Sequence, residues 1–317
     1  MTTHPMLREK RPLIATRPIE ELADSIKVAI EDGHHGLQVR GRAQDGKSTA
    51  SEFLISHSSW IENFVLMRKI SMERRTNLSD TSFYMQIQKK LGLTQHWQSS
   101  ATQRVSQITS LIIAECISHQ CMGAVMFIDE SQWMNVDDFE YLTNIDNSLA
   151  DDGYRLFCVF INQTDDTKAF EGHKKNCRKK ELPPHVVGRF FMDQHTFTGL
   201  RGTSDIAHAL DQYDRQLIFD GKAFSEYFAP RAYSNGWRFA SHSNDFLNAI
   251  AAIRERNGLP GNGDLPMKIF ELAAYRLLAR KAPEIPNFSG FNKDMIESVM
   301  AAPYMQLERA RMRQAVT

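Results

Sequence analysis

Net charge is what this sequence most plainly lacks: 38 Lys and Arg stand against 38 Asp and Glu in 317 residues. That balance excludes a uniformly basic nucleic-acid binder, while leaving room for a local basic face. Long apolar runs are also missing. None reaches the roughly 18 residues that a membrane span needs, and the opening MTTHPMLREKRPL has no apolar signal-peptide core. Cysteine is sparse: Cys116, Cys121, Cys158 and Cys177 are scattered and form no C-x-x-C pair. A disulfide framework and a zinc site are therefore not expected, and a reduced, cytosolic setting is. Internal repeats and low-complexity segments are absent too. A hydrophobic content of 42% suits one large α/β domain followed by a smaller one.

What is present is a phosphate loop. Residues 41–48 read GRAQDGKS, a full match to G-x-x-x-x-G-K-[ST]. Gly41 and Gly46 let the backbone turn tightly enough for successive N–H groups to face phosphate oxygens. Arg42, Ala43, Gln44 and Asp45 form the crown of that cradle and Thr49 follows it. Lys47 supplies positive charge for the β- and γ-phosphates, and Ser48 offers a hydroxyl to the accompanying Mg2+. The preceding HGLQVR alternates like a strand and the following TASEFLIS looks helical, which is the setting the motif requires. The competing reading is a surface turn that happens to spell the pattern.

Apolar spacing predicts helices over 19–30, 81–91, 102–119 and 137–150, and strands over 64–72, 124–128 and 155–161, with an edge strand near 195–198. AVMFI and RLFCVFI are near-continuous apolar runs, as in a parallel sheet covered on both faces. Beyond residue 204 helical patterns dominate, over 204–219, 225–228, 236–255, 266–281 and 293–301. The expected organisation is an α/β nucleotide domain over 1–200 and a helical domain with a tail over 201–317.

Phosphoryl hydrolysis also needs a carboxylate for the metal shell and a group that activates water, both at the carboxyl end of a buried strand. Asp129 and Glu130 follow the AVMFI strand directly. Adjacent residues there point in different directions, so Asp129 can face Mg2+ while Glu130 faces the attacking water. A helix-capping acidic pair is the alternative. The strand 155–161 ends in Asn162-Gln163, and either side chain is placed to bond the γ-phosphate or the water, unless the pair simply signals a turn.

The order GRAQDGKS, FIDES, FINQ resembles an AAA+ ATPase, and within that group the transposon-encoded ATP-binding regulators TnsC, TniB and MuB. GRFFMDQHTFTGLRGTSDIAHALDQYD is similar to the segment after sensor 1 in those proteins, and FAPRAYSNGWRFASHSNDFLNAI with LPMKIFELAAYRLL resembles their helical lid. The resemblance implies an arginine finger at Arg189, with Arg178 and Arg201 as neighbouring candidates, and a sensor-2 arginine at Arg238. FINQ departs from the glycine that relatives often carry before the polar residue, which leaves Asn162 and Gln163 both open as sensor 1.

The resemblance further implies ATP and Mg2+ as cofactors and self-association into a ring or helical filament on duplex DNA. It also implies recruitment of a transposase, hydrolysis that disassembles the assembly, and a cytoplasmic, DNA-associated, bacterial setting. DNA contacts are expected from Arg74 and Arg75, Lys89 and Lys90, and Thr102, Gln103 and Arg104 at a helix start. The basic run HKKNCRKK over 173–180 is a further candidate, or a solvated loop. The competing functions are an AAA+ replication initiator or loader, a protein-only nucleotide switch, and a metabolic kinase.

Overall fold

In the computed structural model, residues 3–61, 66–163, 182–261 and 263–316 are described. The 173–180 run, Cys177 and Arg178 lie outside these residues. Two compact units emerge. One comprises residues 21–42 and 47–197, and the other 1–20, 43–46 and 198–317.

The first unit is built on β1 (Gly36–Arg40), β2 (Leu66–Ser71), β3 (Gly123–Asp129), β4 (Arg155–Ile161) and β5 (Asp193–Thr196), ordered β2-β3-β4-β1-β5. Every pairing is parallel. β3 is buried at every position, and β4 at all but its first. Apolar runs of this kind are what a sheet covered on both faces demands. Helix α1 (Arg17–Glu31) precedes β1 and α2 (Lys47–Ser56) follows it. On one face, Ile70, Met126, Ile128, Cys158 and Phe160 pack with α3 (Asp80–Lys90), α4 (Ala101–His119), α5 (Val136–Asp151) and α6 (Pro184–Phe190). Cys116, Cys121 and Cys158 are free and buried.

Capping chemistry sets where these helices begin. Ser100 and Gln103 bond each other's backbone N–H at the start of α4, and Asn135 and Asp138 do the same for α5. Reciprocal caps of this kind satisfy two donors that the helix itself leaves unpaired.

The second unit is mainly helical. Its larger helices are Gly202–Asp211, Ser243–Arg256, Met267–Tyr275 and Lys293–Val316, packed around Phe239, Phe246, Ile250, Phe270, Leu277 and Tyr304. Residues 1–20 belong here rather than with the sheet. His4 is the peg: its ring lies 4.4–4.8 Å from those of Phe219, Phe224, Tyr227 and Phe228.

Helix ends differ from the spacing-based expectation for physical reasons. The 204–219 pattern stops at Asp211, and a π-turn over Gln212–Gln216 follows. That turn delivers the buried Asp214 carboxylate to the N–H groups of Phe239 (3.0 Å) and Ala240 (2.9 Å). The pattern begun at residue 236 accordingly opens as a short 3-10 turn, Phe239–His242, before the helix Ser243–Arg256. The last helix runs to Val316, well past residue 301. No helix among the described residues is long and apolar enough to cross a membrane.

Candidate nucleotide site

The glycine loop leaves β1, and the strand order seats β4 between β1 and β3. In register, Val39 pairs with Ile161, and Ile128 with Phe160. Gly41, Asp129 and Asn162 therefore leave the carboxyl ends of three adjacent strands, where open α/β sheets bind ligands.

Two loop positions demand glycine. A Cβ on Gly41 would lie 2.3 Å from the Phe197 carbonyl oxygen, and Gly46 has φ +106°. Gln44, exposed at the crown, also adopts the left-handed region at φ +69°. Lys47 is the first residue of α2 (Lys47–Ser56) and is buried. Its ammonium donates to the carbonyls of Gly41 and, at 2.8 Å, of Arg42, so the loop wraps its own lysine. Ser48 is exposed and Thr49 half-buried. In the helical unit, which contains residues 43–46, Arg311 donates to the Ala43 carbonyl and pairs at 2.6 Å with Asp45. Nothing in the local sequence signalled that contact.

Asp129 ends β3 and is buried. Its Oδ1 accepts the Glu130 N–H at 3.0 Å, and its Oδ2 lies 3.1 Å from Lys69 Nζ. Glu130 sits at φ +56°, a region that costs a non-glycine residue roughly 1–2 kcal/mol and is found at functional turns. The kink turns the Glu130 carboxylate onto two amides, since Gln163 donates to Oε1 and Gln132 to Oε2.

Asn162 and Gln163 differ sharply. Gln163 is exposed and holds Glu130. Asn162 is fully buried; its Oδ1 meets the Ser131 hydroxyl, while its Nδ2 has no partner among the described residues. An orphaned buried amide costs about 1–3 kcal/mol, which a phosphate oxygen or an ordered water would relieve. The donor set also suits Mg2+ with a nucleotide. It offers one buried carboxylate and one exposed hydroxyl, with no cluster of three metal-binding side chains among the described residues, and Mg2+ keeps several waters and phosphate oxygens in its shell.

Several arginines sit otherwise than expected. Arg104 is fully buried, with Nη1 on Gln88 Oε1 and Nη2 on the His96 carbonyl, each at 2.7 Å. Arg75 is buried against the Asp138 carboxylate, which burial pushes to a raised pKa and the guanidinium pulls back down. Both satisfy polar groups under the α3–α5 layer. Arg74 is exposed, 5.9 Å from the Trp133 ring centre. Thr102 and Gln103 are exposed on the first turn of α4, where Gln103 also completes the cap. Lys89 is exposed and Lys90 pairs with Glu73 at 2.6 Å.

Arg189 donates to Asp146 (3.0 Å) and Asn147 (2.6 Å) on α5. Asp146 is itself buried and also meets His35 at 2.8 Å. Arg238 lies 3.7 Å over the Tyr233 ring and donates to the Tyr233 and Trp237 carbonyls. Lys69, like Arg311, reaches the site without any motif pointing to it. Its signal was available, because LMRKIS puts two cations in an otherwise apolar strand. Arg68 goes to Glu115 at 2.6 Å, while Lys69 goes to Asp129.

No protein-family model and no curated protein matches the chain. Among solved structures, the ORC2 protein of Aeropyrum pernix in ADPNP–ADP complexes is similar over 94% of this chain and 71% of its own, at 12% identity and TM-score 0.55. The ORC1 protein of the same organism in complex with DNA aligns over 98% and 70%, at 13% identity and TM-score 0.49. Cdc6p of Pyrobaculum aerophilum aligns over 95% and 89%, at 11% identity and TM-score 0.43. Only the first of these is close enough to carry an argument, and what it carries is the fold. A parallel five-stranded sheet, a glycine loop leaving its β1 strand and a C-terminal helical region together give this chain an α/β P-loop NTPase fold like that of the A. pernix structure.

Proposed function

We propose that this chain binds and hydrolyses ATP, and that nucleotide state governs its assembly on duplex DNA as a target-selecting regulator of transposition. One observation carries the ATPase reading: the loop 41–48, the Asp129-Glu130 pair and Asn162 leave adjacent strand ends. Lys47 exchanges its loop carbonyls for phosphate oxygens when nucleotide enters. Asp129 and the Ser48 hydroxyl would hold Mg2+, which would supply charge neutralisation on the phosphates. Glu130, oriented by Gln163 and Gln132, accepts a proton from the attacking water. The orphaned Asn162 amide donates to the γ-phosphate or to that water.

The transposition reading is supported by the TnsC-like segments after sensor 1 and in the lid. Arg74, Lys89, Thr102 and Gln103 are the exposed residues that we assign to DNA; Arg75 and Arg104 take no part. Arg238 remains the sensor-2 candidate, acting after it leaves Tyr233. Arg189 as a finger would have to leave Asp146, so we assign it to the fold instead. A transposase is the proposed protein partner. A second reading, a replication initiator or loader, shares every nucleotide residue and is favoured by the fold likeness to A. pernix ORC2.

Electron microscopy and light scattering of the full chain with ATP, with and without duplex DNA, test the proposal. ATP-dependent rings or filaments on DNA of arbitrary sequence support it. Binding confined to one sequence favours the initiator reading, and no DNA-dependent assembly overturns both.

A further inference from the structure

Lys69 lies deep in the sheet unit, on β2, paired in register with Phe127 two residues before Asp129. Its ammonium forms an ion pair with Asp129 Oδ2 at 3.1 Å and donates hydrogen bonds to the Ser48 carbonyl at 3.1 Å and Glu52 Oε1 at 3.3 Å. An ammonium is a compact point charge with no acceptor of its own, so two hydrogen bonds and one carboxylate charge hold it in place. Only 19% of the lysine side chain and 8% of that of Asp129 are exposed, so solvent screens the pair weakly. The other oxygen of Asp129 already accepts the Glu130 N–H. Any divalent cation that takes Asp129 as a ligand therefore competes with Lys69 for the same carboxylate.

Glu52 makes that competition reversible. It is on α2, one turn beyond Ser48, and its side chain is 40% exposed. A lysine displaced from Asp129 keeps both Glu52 and the Ser48 carbonyl, so its charge is never left buried and unpaired, the situation that makes breaking most buried pairs expensive.

We propose that Lys69 is a built-in counter-cation that sets the Mg2+ requirement of the nucleotide site: it holds Asp129 until a divalent cation displaces it onto Glu52. It is a positioning residue, acting on the metal through Asp129. The inference rests on the nucleotide-site reading above. It predicts opposite signs for two substitutions. Lys69→Met removes the competitor and lowers the Mg2+ concentration for half-maximal binding. Glu52→Gln removes the alternative partner, tightens Lys69 onto Asp129 and raises that concentration. A partly buried ion pair of ordinary strength makes each shift on the order of threefold to tenfold.

The experiment is equilibrium binding of a fluorescent ATP analogue to the full chain, titrated with MgCl2 at constant ionic strength, with an EDTA arm. The wild type, Lys69→Met, Lys69→Arg and Glu52→Gln are compared. The expected result is a lower half-saturation for Lys69→Met, a higher one for Glu52→Gln and near-wild-type behaviour for Lys69→Arg. If Lys69→Met does not fold, the rise in Glu52→Gln decides alone. Half-saturation within twofold of wild type in both variants overturns the inference, as does a shift of the same sign in both. A wild-type chain that binds no nucleotide at any Mg2+ concentration overturns the nucleotide-site reading itself, and the inference falls with it.

Discussion

Arg104→Ala separates two incompatible roles for one residue. On a DNA-facing helix start, losing the guanidinium would remove one phosphate contact and leave the fold untouched. In the structure Arg104 has no exposed surface, and its fork holds the Gln88 side chain and the His96 carbonyl at 2.7 Å each. Gln88 in turn donates to Gln107 at 2.6 Å, so the guanidinium anchors a chain of bonds between α3 and α4. Hydrogen bonds to a charged donor contribute about 1.5–3 kcal/mol each. Truncation strands the buried Gln88 acceptor and gives up the bond to the carbonyl of the exposed His96, so the expected loss is about 2–4 kcal/mol. For a unit of this size each kcal/mol lowers the melting temperature by about 2–4 °C, so a fall of roughly 10 °C is expected by circular dichroism. Lys at this position keeps the charge but not the fork, and should recover less than half of that loss. DNA affinity of the folded fraction should keep its salt dependence. A melting temperature within about 2 °C of wild type, together with a salt slope reduced by about 0.9, would refute the assignment and return Arg104 to the DNA surface.

Glu130→Gln keeps one of the two amide contacts and cannot accept a proton; ATP binding should survive while phosphate release falls at least about 10²-fold, and normal turnover would exonerate Glu130. Arg189→Ala should destabilise the sheet unit by about 1–3 kcal/mol without a defect specific to shared subunit sites, because Arg189 neutralises the buried Asp146. The pH dependence of that deficit is signed. Burial raises the Asp146 pKa against the pull of His35 and Arg189, so the fold favours its protonated form. The deficit is therefore largest near neutrality and shrinks as acid protonates Asp146, which denaturant melts at several pH values will read. His4, caged by four rings, has its pKa lowered from 6.5 to about 4 by burial and by Arg8. A folded-state pKa below the unfolded one means full stability above pH 6.5 and loss as pH falls toward 4. His4→Phe should flatten that part of the acid-stability curve, and an unchanged curve would show that the cage does not govern it.

What was legible in the sequence is what local geometry dictates. GRAQDGKS announces itself because two of its positions tolerate only glycine, one for the Phe197 carbonyl and one for a positive φ. The strands AVMFI and RLFCVFI announce a two-sided sheet because nothing else consumes so much apolar surface in so few residues. Charge is where reading from sequence fails, because it equates ionisable residues with solvent. Arg75, Arg104 and Arg189 looked available for phosphates. Each serves a polar partner within the fold: the Asp138 cap of α5, Gln88 and the His96 carbonyl beside the α3–α4 pair, and Asp146. No composition or periodicity reveals such pairs, because the partners sit on different elements that only the fold brings together.

The same logic sharpens the one pair that sits at the chemistry. A buried ion pair seldom stabilises a fold more than apolar packing of the same volume would, so Lys69–Asp129 is poorly explained as a device for stability alone. Unlike Asp138 and Asp146, Asp129 ends a strand beside the phosphate loop, and its lysine has a second, half-exposed acid in reach. A pair that is buried, replaceable on one side and provided with a fallback on the other is built to be exchanged. That distinguishes Lys69 from the arginines above. Removing any of those arginines should show first in thermal stability, whereas removing Lys69 should show first in the metal titration.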